Sequence, residues 1–503
     1  MYSFRLACCL LLVASCSYPA HAQVLTWKKG QRDMPESLPA ELKEPYDWES
    51  PVELVLSPAA EPSPALTYRF WIPIAQRQPG DVEANVARAV ILYLQNPLRG
   101  KLDSQYVEFS KALPDSNSGT VIPTEELRKA VRDYLDSQAD VLKQLHYALR
   151  LDTIDSSYTV RDMRGLDFLN SNLSDAQNLR SLARLLQLEC SLAIAEARFE
   201  DAVRSLQSGF RLAAVVGRYN NETVVTQLVS LALAGLMNYE VQTMLQLPDA
   251  PNLYWALASV PHQELYSPRA GIEGELLGVT RMLMPWTNDG MDLASESQSQ
   301  TRLLALISHV RSYADGANKE TAQTLVQDRL IAALAVGAFA DRARLEIGKT
   351  DAGNCQAFIE WTTMGFQAAI EKVLKWSLLP LDLRLARSDL IDESLSGLVG
   401  LLDSPATALT MMILPSVHAL DSAIARTQRQ HALLITLEAL RAYAAENSGA
   451  LPESLEGLKP LPAWPDTSTG KPFDYQRTDL YHAVLHIQKS SGVPSEYHIE
   501  MRR

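Results

Sequence analysis

The sequence from Leu179 to Phe210 is LRSLARLLQLECSLAIAEARFEDAVRSLQSGF. Its first part carries leucine and alanine at helical spacing, and a second run begins at Phe199-Glu200-Asp201-Ala202. Apolar residues that recur every three or four positions form one face of an amphipathic helix. We therefore expect two helices that bury these faces against each other. The first face comprises Leu179, Leu182, Leu186, Ala193 and Ala197, and the second helix carries Leu206, Gly209 and Phe210.

Two helix starts are predicted from capping patterns. Ser174 and Gln177 have the spacing of a capping box, in which each side chain satisfies the other residue's backbone amide. Pro123 and Thr124 precede another apolar series and suit the start of a helix. No proline interrupts residues 124–247, which permits long helices there. The apolar series after Thr124 is Leu127, Val131, Leu135, Leu142, Leu145 and Leu149.

The helical pair, extended to residues 174–247, resembles a tetratricopeptide unit. Such a unit places a small residue near the start of its second helix and another seven positions later, and Ala202 and Gly209 match. Two positions depart from the pattern, because Leu186 replaces a large aromatic residue and Cys190 replaces a glycine. An ordinary helical hairpin explains the same residues. A regular array is not predicted, since the positions 34 residues away from Ala202 hold Phe168 and Leu236.

Prolines divide the rest of the chain. Nine of the 27 prolines lie between Pro35 and Pro79, so residues 23–80 are predicted to form an extended arm with at most a short strand from Thr67 to Ile72. Residues 81–423 are predicted to form a helical domain, and residues 424–503 a long helix followed by a small sheet. The predicted fold class is mainly α, an irregular α-solenoid-like core of helical hairpins with a small C-terminal antiparallel β-sheet.

The C-terminal sheet is predicted from alternating residues. Tyr481, Ala483, Leu485 and Ile487 alternate with His482, Val484 and His486, and Tyr497, Ile499 and Met501 alternate with His498, Glu500 and Arg502. If the two segments pair, three histidines share the outer face, which is a weak signal for a divalent-metal patch. A solvated strand face is favoured, because the sequence fixes no carboxylate or cysteine ligand nearby. No metal-binding residue is assigned.

Several segments together resemble an uncharacterised bacterial family of exported helical proteins. They are residues 56–69, the helical hairpin, and residues 250–257, 449–455 and 469–475. The resemblance implies export and a helical core, and it transfers no catalytic residue. Residues 424–503 are also similar to the globular end of the major pseudopilin of type II secretion. The cleavage site and membrane helix of a pseudopilin do not precede them, so a shared small fold is expected rather than fibre assembly.

The first 22 residues are predicted to be a signal peptide. Arg5 supplies the positive charge, residues 6–14 form a short apolar run, and Ala20-His21-Ala22 offers a cleavage site. Val13-Ala14-Ser15-Cys16 resembles a bacterial lipobox, which is a competing site. We expect export across the inner membrane. Cleavage after Ala22 would give a periplasmic or secreted protein, and lipidation of Cys16 would give an outer-membrane lipoprotein.

Composition excludes several classes of function. The 503 residues are 47% hydrophobic and 21% charged with a net charge of −13, which is typical of a folded soluble protein. The acidic balance argues against nucleic acid and against an anionic membrane surface, because both attract clustered Lys and Arg. After the leader, no apolar run approaches the roughly 20 residues of a membrane helix. Cleavage after Ala22 leaves Cys190 and Cys355, which either pair or remain single buried thiols.

Catalytic signatures are scarce. Gly348-Lys349-Thr350 ends like a phosphate-binding loop, but Ala343 replaces its first glycine, so Gly348 is predicted to end a helix. Two acidic pairs, Glu125 with Glu126 and Asp389 with Asp392, fit solvated helix surfaces. The sequence contains neither Gly-x-Ser-x-Gly nor His-Glu-x-x-His. No catalytic or cofactor-binding residue is therefore assigned, and no cofactor is expected.

Two functional hypotheses from different classes follow. The first is an exported helical scaffold whose helix pairs present a groove to another envelope protein or a peptide, with the Pro-rich arm packed along it. The second is an envelope hydrolase whose polar residues are gathered from distant helices. The scaffold is preferred because long proline-free helical tracts and one hairpin are the clearest features of the chain. A metal-binding face at His482, His486 and His498 is a weaker third hypothesis.

Overall fold

A computed structural model describes residues 51–96, 124–154, 167–218, 224–265, 271–274, 296–304, 336–387 and 405–503, with short gaps at 302, 338, 386 and 488–494. The protein is mainly helical with a small sheet, which confirms the predicted fold class. The leader with Cys16 and the pair Asp389 and Asp392 lie outside the described residues.

The described helices and strands are numbered in chain order. The helices are α1 (Val82–Gln95), α2 (Glu125–Ser137), α3 (Ala139–Ala148), α4 (Asp167–Ala195), α5 (Phe199–Arg218), α6 (Val224–Leu245), α7 (Tyr254–Ala258), α8 (His262–Leu265), α9 (Asn354–Ser377), α10 (Leu381–Leu385) and α11 (Pro405–Glu446). The strands are β1 (Val52–Leu56), β2 (Gln78–Asp81), β3 (Leu151–Thr153), β4 (Pro465–Asp466), β5 (Lys471–Pro472), β6 (Asp474–Arg477), β7 (His482–His486) and β8 (Glu496–Met501).

The first helical layer consists of α1 packed against α3, with α2 beside them. Thr124 caps α2 as predicted, because its side chain accepts a hydrogen bond from the backbone N–H of Leu127 at 3.4 Å. The apolar series that follows Thr124 is divided between α2 and α3 by a break at Gln138. Both helices still bury their apolar faces, which contain Val131, Leu135, Leu142 and Leu145. The short strands β2 and β3 pair in parallel, and β3 lies against α1.

The central layer contains α4, α5 and α6. Helix α5 begins at Phe199, as predicted. Helix α4 begins at Asp167, so the predicted start at Ser174 was wrong. A capping-box spacing marks a helix start only where the preceding residues resist helix formation, and residues 167–173 contain neither proline nor glycine.

The two small residues of α5 face different helices. Cys190 Sγ of α4 lies 3.7 Å from the carbonyl oxygen of Ala202, so Ala202 serves the α4–α5 contact as expected. Gly209 faces α6 instead, where an added Cβ would clash with the sulfur atom of Met237. Gly209 therefore permits the close approach of α5 and α6 rather than closing the α4–α5 hairpin.

Helix α11 forms the other side of the core and packs against α6, α7 and α9. Leu433, Leu437 and Leu440 are fully buried in this contact region. Its end is marked by Gly449, which has a φ of 84° and donates its N–H to the carbonyl oxygen of Ala444. None of the described helices combines the length and apolarity needed to cross a membrane.

The main sheet has the strand order β1-β8-β7-β6. β7 and β8 pair antiparallel and bury one face, which confirms the predicted alternation. β1 was not predicted, and it joins the sheet in parallel with β8. The predicted strand from Thr67 to Ile72 was wrong, because this segment bends to bury Phe70 against the ring of Phe210, at a centroid distance of 5.4 Å. β4 and β5 form a separate antiparallel pair.

Candidate functional site

The three histidines of the sheet share its outer face, as the sequence predicts. Each imidazole lies beside a carboxylate. His482 Nδ1 is 2.9 Å from Asp479 Oδ2, and His498 Nδ1 is 2.8 Å from Glu53 Oε1. His486 Nδ1 lies 3.6 Å from Glu496 Oε1. Among the described residues, no group of three or more His, Cys, Asp or Glu side chains is placed to hold a metal ion.

The phosphate-loop-like segment is a helix end. Gly348 has a φ of 68°, and its N–H donates to the carbonyl oxygen of Leu345 at 3.2 Å. Lys349 N–H donates to the carbonyl oxygen of Arg344 at 3.1 Å, which completes a Schellman motif. The prediction that Gly348 stops a helix is confirmed.

The structure also describes the acidic pair Glu125 and Glu126 and the two cysteines Cys190 and Cys355. Glu125 lies in the first turn of α2 and pairs with Arg128, 3.3 Å away, and Glu126 is exposed beside it. Cys190 and Cys355 are both buried as free thiols, so they do not form a disulfide in this structure.

A serine, a histidine and a glutamate from three helices form a hydrogen-bonded chain. Ser208 Oγ of α5 lies 2.7 Å from Nδ1 of His146 on α3. The other ring nitrogen of His146, Nε2, lies 2.9 Å from Oε2 of Glu189 on α4. We call Ser208, His146 and Glu189 the Ser–His–Glu cluster.

Each member of the Ser–His–Glu cluster stands next to an apolar residue of its helix. His146 follows Leu145, Glu189 precedes Cys190, and Ser208 precedes Gly209. Burial of these neighbours brings the three helices together and draws the adjacent polar side chains to the edge of the same core. The three residues are separated by 43 and 62 positions along the chain, so no short motif contains them.

The electrostatics of the cluster favour an ionised Glu189. Burial opposes ionisation, but the hydrogen bonds from His146 and Ser205 and the charge of Arg204 outweigh it and hold the pKa of Glu189 below its usual value. Ser205 Oγ donates to Glu189 Oε2 at 2.6 Å. In the tautomer that carries its proton on Nε2, the imidazole of His146 donates to Glu189. Nδ1 is then an acceptor for the hydroxyl of Ser208.

The surroundings of the cluster are cationic and aromatic. Arg204 and Arg211 lie four residues before and three residues after Ser208 on α5, which places all three on one face of the helix. The guanidinium of Arg211 lies 5.3 Å from the ring centroid of Trp71, and that of Arg77 lies 5.6 Å from it. The Pro-rich segment therefore borders the same face of α5.

A second polar centre is fully buried. Arg441 of α11 donates to the carbonyl oxygens of Ser57 at 2.9 Å, Ala250 at 2.6 Å and Pro251 at 3.3 Å. Its Nη1 also lies 2.9 Å from Oε2 of Glu438. This Arg441 network joins the segment after β1 and the turn before α7 to α11, and its role is to hold these segments together.

Comparisons with protein-family models, with curated proteins and with solved structures found no match to this chain.

Proposed function

We propose that the protein is an exported helical scaffold that binds another envelope protein or a peptide through the outer faces of its helices. The observation that carries this proposal is the exposed apolar face of α1. Ile91 and Leu94 of that face are 53% and 41% exposed. Exposed apolar side chains that adjoin one another on a helix are typical of interaction surfaces.

Helix α1 carries apolar residues on two sides. Its inner side buries Val86, Ala89 and Tyr93 within the core. Its outer side carries Arg88, Ile91 and Leu94, which are spaced three residues apart and are exposed. A helix that only needed to cover the core would carry polar residues on its outer side. The outer pair of Ile91 and Leu94 therefore favours a contact with a partner.

The Arg441 network supports the idea of a preformed surface. It fixes the Pro-rich arm to α11, and Ala59 N–H adds a hydrogen bond to the carbonyl oxygen of Arg441 at 3.1 Å. Phe70 secures the same arm further along the chain by packing on Phe210. A rigid surface binds with a smaller loss of conformational entropy than a surface that must be ordered first.

Site-specific photo-crosslinking tests the scaffold. The photoreactive residue p-benzoylphenylalanine would replace Leu94 in one variant and the exposed Lys129 of α2 in a control. In cells that export the full chain, we expect a discrete crosslinked species from position 94 and none from position 129. The variant Ile91→Ser/Leu94→Ser should lose the partner while its thermal unfolding changes little, since exposed substitutions usually alter stability by less than about 0.5 kcal/mol.

Equal crosslinking at positions 94 and 129, or none at either, would contradict binding through α1.

Export is tested separately by the intact mass of the mature protein. A mass that begins at Gln23 indicates cleavage after Ala22, and a mass that begins at an acylated Cys16 indicates a lipoprotein. A mature protein that retains Met1 would contradict export by this leader.

A further inference from the structure

The Ser–His–Glu cluster has the bonding order of a nucleophile, a base and an orienting carboxylate. Ser208 Oγ reaches one imidazole nitrogen of His146 at 2.7 Å, and Glu189 reaches the other at 2.9 Å. A hydroxyl whose proton points at a neutral imidazole is activated for attack, and a carboxylate on the far nitrogen stabilises the imidazolium that forms. Either ring nitrogen can serve as the base, because a neutral imidazole carries its proton on one nitrogen only.

The accessibility of the cluster limits the substrate. The side chains of His146 and Glu189 are 20% and 28% exposed, whereas Ser208 is 7% exposed. Because Ser208 is largely buried, we expect that only a small group of a substrate can reach its hydroxyl. The neighbouring arginines, Arg204 and Arg211, place positive charge on the same face of α5 as Ser208.

We propose that the Ser–His–Glu cluster hydrolyses esters of short-chain carboxylic acids, an activity independent of the scaffold role. Ser208 Oγ bonds to the ester carbonyl carbon while its proton passes to His146 Nδ1. The carbon–oxygen bond to the alcohol then breaks, and the alcohol leaves with that proton. Water attacks the acyl-Ser208 ester and gives its proton to His146. The carboxylic acid is released, and the proton returns to Ser208.

The helix that carries Ser208 restricts the rate. The backbone N–H groups around a residue in the middle of α5 are engaged in the helix, so they do not form an oxyanion hole. We therefore expect slow turnover of activated esters. General-base assistance of a hydroxyl typically contributes about 10²–10⁴-fold. Loss of the serine or the imidazole should remove a factor of this size.

The test uses the purified full chain with p-nitrophenyl acetate. Hydrolysis above the buffer rate is expected, and Ser208→Ala and His146→Gln should each lower it by at least about a hundredfold. The matched control is Ser230→Ala, because Ser230 is another buried helical serine and donates to the carbonyl oxygen of Ala213 at 2.7 Å without an imidazole partner. That control should retain the rate.

Labelling keeps the proposal falsifiable if a variant misfolds. The unmodified protein would be treated with a fluorophosphonate and digested, and the modified peptide would be identified by mass spectrometry. Modification of Ser208 is expected. A natively folded protein that neither hydrolyses the ester nor reacts with the probe would overturn the proposal. Equal rates in the wild type and Ser208→Ala, or labelling only at another residue, would also overturn it.

Discussion

Glu240 and Glu438 are both fully buried glutamates on long helices, yet their surroundings differ. Glu438 of α11 lies 2.9 Å from the guanidinium of Arg441 and accepts the backbone N–H of Leu253 at 2.7 Å. Glu240 of α6 accepts hydrogen bonds from two neutral donors of α4, Gln187 at 2.8 Å and Ser191 at 2.7 Å. A charged group compensates the carboxylate of Glu438, and neutral hydrogen-bond donors compensate that of Glu240.

The two buried glutamates therefore have different roles: Glu438 belongs to a structural ion pair, and Glu240 titrates near neutral pH. Burial raises the pKa of both carboxyl groups, and it brings the pKa of Glu240 to about 7. The charge of Arg441 works against this rise at Glu438, so an ionised pair can connect three segments of the chain. The hydrogen-bond donors to Glu240, Gln187 and Ser191, are both neutral, and its protonation near neutral pH couples the α4–α6 contact to pH.

The largest effect is expected from Arg441→Leu. The substitution leaves Glu438 as a buried carboxylate without its guanidinium, and it leaves the carbonyl oxygens of Ser57 and Ala250 without their donor. Removal of one partner of a buried ion pair costs about 3–5 kcal/mol. Urea unfolding followed by circular dichroism should show a correspondingly lower midpoint.

A matched control separates this effect from the general loss of an arginine. Arg180 of α4 is exposed, so Arg180→Leu should change the free energy of unfolding by less than about 0.5 kcal/mol. The double variant Glu438→Leu/Arg441→Leu should recover part of the loss, because the unpaired carboxylate is gone. Similar midpoints for Arg441→Leu and Arg180→Leu would show that the network adds no stability.

The next largest effect is expected from Glu240→Gln, and its sign depends on pH. Below about pH 4.5, both the folded and unfolded chains hold the carboxyl proton, so the substitution should change little. Between pH 4.5 and 7 the unfolded chain releases the proton first, which destabilises the wild type. Glutamine removes this penalty, and the variant should be more stable by about 3 kcal/mol at pH 8.

Urea unfolding of the wild type and Glu240→Gln at pH 4 and pH 8 measures this difference. Glutamine keeps an oxygen that accepts from one α4 donor and an amide that can donate to Ser191, so packing is nearly preserved. If the two proteins differed by the same amount at both pH values, the titration of Glu240 would not be the cause.

A smaller effect of pH on stability is expected on the other side of α6, where acid rather than base destabilises the fold. His431 of α11 lies 2.9 Å from Asn238, two residues before Glu240, and its ring packs edge-on against His262. Burial lowers the pKa of His262 to about 4. Because the unfolded group titrates near 6.5, stability is present above pH 6.5 and is lost as the pH falls toward 4.

His262→Phe should reduce this acid sensitivity. Phenylalanine keeps an aromatic ring against His431 and Trp464 and carries no titrating group. The loss of unfolding free energy between pH 7.5 and pH 4.5 should shrink by about 2 kcal/mol. The slope between these two pH values is compared rather than the absolute stability, and an unchanged slope would contradict the assignment to His262.

The features predicted from sequence are those with local signals. The cap at Thr124, the start of α5 at Phe199 and the helix stop at Gly348 depend on residues within one helical turn. The alternation of β7 and β8 is likewise visible in a few adjacent residues. The start of α4 was misplaced because Ser174 and Gln177 have a capping pattern inside a stretch that is already helical.

The remaining features depend on contacts between distant residues. The paired residues of β1 and β8 lie 445 positions apart, as Val52 and Tyr497 do, and nothing in the five residues of β1 specifies that partner. The hydrogen bond between Ser208 and His146 likewise joins residues that are 62 positions apart on different helices, and neither local sequence specifies the other. The sequence does show polar residues at the edges of apolar helix faces. It does not show which of these faces pack together.

The smallest effect is expected from Gly209→Ala, which supplies a neutral reference for the two charged centres. The new Cβ would displace the side chain of Met237 at the α5–α6 contact. Overpacking of this kind costs about 1–3 kcal/mol, and we expect the lower half of this range because methionine is flexible. No titrating group is involved, so the loss should be equal at pH 4 and pH 8.

Two further variants test whether the contact with Met237 is the cause. Gly209→Ala/Met237→Ala should lose less stability than the sum of its single variants, because the cavity at position 237 accepts the new methyl group. Gly235→Ala on α6 is the control, since among the described residues no atom outside its own helical turns lies within 4 Å of the added Cβ, and alanine should stabilise the helix slightly. A pH-dependent loss in Gly209→Ala would mean that the packing of α5 on α6 and the protonation of Glu240 are coupled.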